Sequence, residues 1–105
     1  MHIYEQIDDV VEIMWGNAME AAKYAREAHE LKEDCRAYAD WCRDMSIKHL
    51  EFNTAGKAVY ERMKERLHEH GESEHAKGLL MVLDRQMNKL SRQHAETKAM
   101  LDAYK

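Results

Sequence analysis

The sequence predicts an all-α protein, an antiparallel bundle of three long helices, and three observations carry that prediction. The 105 residues include no proline and only four glycines, so the chain lacks the regular punctuation that short strands and hairpins require. Apolar and small residues recur in alternating steps of three and four, the spacing of one helix face. Charged residues make up 34% of the chain and fall between those positions, where a helix needs its solvated side. The length suits one domain over residues 1–105, with helices over about 2–31, 34–70 and 73–104. A domain of this size buries only about two-thirds of the surface its unfolded chain exposes, so oligomerisation is an expected source of further burial.

In helix 1 the repeat runs through Ile3, Ile7, Val10, Met14, Asn17, Ala21, Tyr24, Ala28 and Leu31, a heptad seam with one polar member. A second stripe beside it (Val11, Trp15, Ala18, Ala22 and Ala25) makes the apolar face wider than one neighbouring helix covers. The rhythm slips at Leu31-Lys32-Glu33-Asp34, where Asp34 can cap a new helix. Helix 2 carries Cys35, Tyr38, Cys42, Met45, His49, Phe52, Gly56, Val59 and Met63, and Gly71 suits a left-handed stop. Ser73 reads as the next cap. Helix 3 repeats the pattern through Ala76, Leu80, Leu83, Met87, Leu90, His94, Thr97, Leu101 and Tyr104. Helices of about 30 residues are roughly 45 Å long, which makes the bundle slender and leaves apolar surface over. A homodimer of four-helix-bundle type closes it most simply, because a two-fold axis lets one patch cover itself. The stripe Val11, Trp15, Ala18 and Ala22 is the expected dimer interface.

Composition narrows the function classes. The net charge is −4 with both signs interleaved and no basic stripe, so nucleic acid is not an expected partner. The longest apolar runs fall far short of the ~20 residues that span a bilayer, and the start of the chain has no basic-then-apolar segment. A cytoplasmic protein with no membrane partner is expected. Cys35 and Cys42, seven apart on one helix, sit roughly 10 Å from each other, beyond disulfide reach. They read as reduced thiols, mostly buried and used for packing. No nucleophile-base-orienter set, glycine-rich phosphate loop or paired acid and base is present, so enzyme classes other than a metal-dependent one find little support.

The seams share one polar level. Antiparallel hairpins with turns near residues 32 and 71 set His49 beside Asn17 and opposite His94, with Glu20 one turn away. Buried imidazoles and carboxylates need partners. In one solution Asn17, His49 and His94 form a hydrogen-bonded layer that fixes helix register, as single polar seam residues do in coiled coils. In the other, Glu20, His49 and His94 hold iron, manganese or zinc. The first is preferred, since a strong metal site in a bundle carries more carboxylates at one level. His68, His70 and His75 bracket the turn around Gly71 with Glu69, Glu72 and Glu74 and could pick up a metal adventitiously, but read as ordinary turn residues.

The segment Glu20-Ala21-Ala22-Lys23-Tyr24-Ala25, the run ending at His49, the His-Gly-Glu turn at 70–72 and the tail from Ala95 to Lys105 resemble short ferritin-like helical proteins of gut Firmicutes and their phages. The similarity spans most of residues 18–105. It implies a ferritin-like bundle in which Glu20 matches the first metal-binding Glu and His49 the His of a Glu-x-x-His, with Ser46 standing where the second Glu belongs. The expectation is therefore a homodimeric, non-catalytic interaction or assembly module of ferritin-like ancestry, phage- or prophage-derived, without a cofactor. The alternative is a metal-binding protein using Glu20, His49 and His94.

Overall fold

The computed structural model describes residues 3–69 and 74–105, and among them every regular element is a helix: α1 (Ile3–Leu31), α2 (Arg36–Glu69) and α3 (Glu74–Asp102). The Gly71 stop and the Ser73 cap lie outside the described residues. The molecule is a rod of 55 × 20 × 16 Å. No described helix is long and apolar enough to cross a membrane.

The first turn closes one residue later than the Asp34 cap implies. The Asp34 and Cys35 amides both donate to the Leu31 carbonyl, at 3.2 and 2.8 Å, and the Cys35 carbonyl accepts the first α2 bond from Ala39 at 3.0 Å. Cys35 thus holds the cap position and is exposed rather than buried, whereas Cys42 is buried; both are free thiols.

α1 and α2 lie against each other along their length, while α3 rests mainly on α1 and meets α2 at few points. Small residues permit the close α1–α2 approach: Ala18, Ala21, Ala25 and Ala28 face Ala39, Cys42 and Ser46, all at most 1% exposed. Gly56 serves the same end, since a Cβ there would meet the Met14 Cγ at 3.0 Å. Towards the other end the core is built from larger groups, Ile7, Val11, Met14 and Tyr60 packing on Leu80, Leu83, Met87 and Leu90 of α3. Each such side chain contributes about 1.5–3 kcal/mol by leaving water.

This core corrects the expected dimer stripe. Val11, Ala18 and Ala22 are buried within the single chain, and Trp15 is half-buried against the same core. The wide face of α1 serves two helices of its own bundle, α2 on one flank and α3 on the other, so these four residues are not the surface left over.

Two sets of polar ties hold α3, one at Asp84, about three turns into the helix, and one where the chain leaves it. Tyr60 of α2 donates to Asp84 Oδ1 at 2.7 Å, and Lys64 reaches the same oxygen at 2.8 Å. At the far end the Tyr104 hydroxyl donates to Asp40 at 2.7 Å, His29 Nε2–H donates to the Met100 carbonyl at 2.6 Å, and Arg36 and Arg43 lie over the Tyr104 ring. The bond from Tyr104 holds the Asp40 carboxyl below the usual carboxylate range, and the two arginines add to this against a smaller effect of burial.

Candidate functional site

Antiparallel pairing puts Asn17 and His49 side by side. The Asn17 amide nitrogen donates to the Ile13 carbonyl one turn back at 3.1 Å, which leaves Oδ1 facing α2. His49 Nδ1–H donates to that oxygen at 2.6 Å. The His49 ring stacks on Tyr24 at 5.9 Å, Tyr24 meets Trp41 edge-on at 5.7 Å, and Trp41 stacks on Tyr38 at 5.7 Å. Beneath them the Cys42 thiol points at a Glu27 carboxylate oxygen 3.7 Å away.

His94 is not part of this group. It lines a cavity with Asn53 and Lys57 and a neighbouring groove with Leu50 and Lys98, on the side of α2 that faces α3. Burial, and then the nearby Lys98 and Lys57, push its pKa below the ordinary imidazole value. Glu20 is exposed. Glu20, His49 and His94 therefore do not converge on one ion: the pairing of heights along α2 and α3 is sound, but His49 turns from α2 to Asn17 of α1, whereas His94 of α3 lies on the opposite flank of α2.

Ser46, standing where the ferritin-like pattern has its second Glu, is 0% exposed and donates to the Ala21 carbonyl of α1 at 2.7 Å. That position is used for helix contact, with no space for a carboxylate. Among the described residues the one group of His, Cys, Asp and Glu side chains close enough to share an ion is Asp8, Asp9 and Glu12, all exposed. Such surface carboxylates are ordinary on a helix's first turns, where the dipole favours them. His70 lies outside the described residues, as does the side chain of His75.

Nor does the aromatic group hold an activated nucleophile. Burial pushes the Cys42 thiol up and Glu27 pushes it further, against an opposing bond with Tyr38. The group stays a thiol at neutral pH and lacks the thiolate that nucleophilic chemistry needs.

The more telling feature is what surrounds the polar pair. On the α1–α2 face turned away from α3, Ile13, Tyr38, Trp41 and Phe52 are between 44% and 55% exposed. Tyr38, Met45, Phe52 and Val59 are seven apart, so they form one column along α2. Sequence reading gave these residues to the interior seam; their exposure follows from α3 packing on the opposite flank. No family model, curated protein or solved structure matches the chain.

Proposed function

We propose that this chain is a non-catalytic helical assembly module, of ferritin-like ancestry and phage or prophage origin, that pairs with a second copy through the Tyr38–Trp41–Phe52 face. The observation carrying this reading is the exposed aromatic and aliphatic column itself, since soluble monomers rarely leave a contiguous apolar stripe uncovered without a use for it. Aromatic residues at the centre of a patch are what interfaces are built around.

A two-fold axis parallel to the helices lays α1 of one copy over α2 of the other, residue heights unchanged. Because Asn17 is level with His49 and Met14 with Asn53, Ile13 then meets Phe52 of the second copy. Glu20, two turns beyond Ile13, meets Lys48, two turns beyond Trp41. Apolar faces apolar and acid faces base in both halves. The other two-fold, perpendicular to the helices, sets the Glu20 and Glu27 column of α1 against itself.

Sedimentation equilibrium tests the proposal. Twice the 12.4 kDa chain mass is expected, with dissociation on Phe52→Glu, because a charge buried without a partner is strongly destabilising. Glu20→Lys should weaken the dimer, and adding Lys48→Glu should restore it. A monomer mass at about 100 μM, a concentration well above a micromolar Kd, would defeat the proposal, as would unchanged association in Phe52→Glu.

A further inference from the structure

We infer that the groove between α1 and α3 docks a basic amphipathic helix of a partner protein, with the partner's apolar side chains in the groove and its Lys or Arg side chains against the carboxylates of α1. The groove takes no residue from the Tyr38–Trp41–Phe52 face, so the inference stands independently of the assembly proposed above.

Two hollows of about 280 and 500 Å³ meet at Asp8 and Gln86, which line both. Together they make one channel that follows α3 from Leu79 to Lys89, roughly 15 Å, or about three turns of a docked helix. Its floor is apolar: Leu83 is 5% exposed, and Trp15 is half-buried against the core. On the α3 wall Leu79 and Val82 remain 39% and 48% exposed, and an apolar row beside a groove marks an interaction site. The groove selects a helix because every described element is itself a helix. No strand edge among them offers the backbone bonds an extended peptide needs, whereas a helix satisfies its own backbone and enters with apolar anchors at helical spacing.

The charge of the partner follows from the α1 wall. Glu5, Asp8 and Glu12 recur in steps of three and four, so they form one row along that edge. The channel holds a single cation against them, Lys89 at its far end. Among the described residues none of the three carboxylates takes part in an ion pair. Acidic residues on a helix's first turns need no partner by themselves. As the rim of an apolar channel they set its preference: a helix with acidic flanks is repelled, and one with Lys or Arg beside its apolar stripe is matched.

The probe is a synthetic peptide of about 18 residues, long enough to hold a helix, with leucines along one face and lysines on either side of them. Titrated into the full ¹⁵N-labelled chain, it should shift the Trp15 indole N–H, the Gln86 side-chain amide and the backbone of Asp8, Leu79 and Val82 saturably, with a Kd of about 10–100 μM. Asp8→Lys combined with Glu12→Lys should weaken binding at least about tenfold, and Val82→Glu by a similar factor. All three positions are exposed, so circular dichroism should show the fold retained. A scrambled peptide of the same composition, and the same helix with glutamates in place of lysines, should not bind. No saturable shift up to about 1 mM peptide would overturn the inference, as would equal affinity for the scrambled peptide or shifts confined to the Trp41 indole. So would loss of the wild-type sedimentation mass in Val82→Glu, which would give the groove to a second copy of the chain.

Discussion

Removing one oxygen from Tyr60 probes how α3 is held. The ring is 1% exposed and packs in the core, while its hydroxyl donates to Asp84 at 2.7 Å, one of the few points where α2 meets α3. Tyr60→Phe keeps the ring and deletes the bond. A hydrogen bond to a charged acceptor contributes about 1.5–3 kcal/mol, but the Asp84 side chain is 46% exposed and keeps its Lys64 partner, so solvent screening reduces the expected loss to about 1 kcal/mol. In a chain of this size that lowers Tm by roughly 4–8 °C. Urea denaturation followed by circular dichroism, at one protein concentration, should show the midpoint fall with the slope unchanged.

The loss should also depend on pH. Burial raises the Asp84 pKa, but the bonds from Lys64 and Tyr60 outweigh it and leave the carboxyl below its ordinary value. A carboxyl depressed in the folded state contributes stability above its unfolded pKa, about 4, and loses it as pH falls through the folded value. Wild type and Tyr60→Phe should therefore converge in acid. A difference below about 0.3 kcal/mol at pH 7, within the error of additivity, or one that widens in acid, would refute the assignment of the tie.

Three further outcomes follow from the packing. Ser46→Glu, which supplies the carboxylate of the ferritin-like pattern, should destabilise the fold by about 3–5 kcal/mol and bind no stoichiometric iron by elemental analysis, because the side chain has no room beside the Ala21 carbonyl. His49→Gln should lower stability by about 1 kcal/mol through the rearranged bond to Asn17, and EDTA should leave Tm of either protein unchanged; a chelator-dependent fall would reinstate a metal at this level. Tyr104→Ala should speed amide exchange in residues 28–42 and 97–102 while leaving residues 7–18 protected, and uniform exchange along the rod would argue against a local clamp.

The parts of this structure legible in the sequence are those fixed by periodicity. A proline-free chain with a three-and-four repeat has one way to bury its apolar positions, and the slip at residues 31–34 marks where the first helix must end. Height along antiparallel helices is also legible, which is why Asn17 and His49 could be set side by side from the turn position alone. Rotation about the helix axis is not. The sequence shows that α1 has two apolar flanks but not which neighbour takes which, so Val11 and Ala22 read as spare surface although they are buried in the chain's own core, and Phe52 read as seam although it is 54% exposed among the described residues. His94 failed for the same reason.

The unequal attachment of the three helices sets the order in which the molecule comes apart. α1 and α2 are joined along their length by alanines, Ser46 and Gly56 in contact close enough that separating them opens everything at once. α3 meets α2 at few points, chiefly the ties at Asp84 and Tyr104, so it forms the natural unit of partial opening. Such an opening would strip Leu80, Leu83, Met87 and Leu90 from the core and leave a two-helix hairpin with both broad faces bare. In a dimer closed through the Phe52 face, that hairpin would still be held by its counterpart. The assembled state would then tolerate excursions of α3 that the isolated chain does not, and assembly would protect the cell from the sticky intermediate as well as stabilise the folded form.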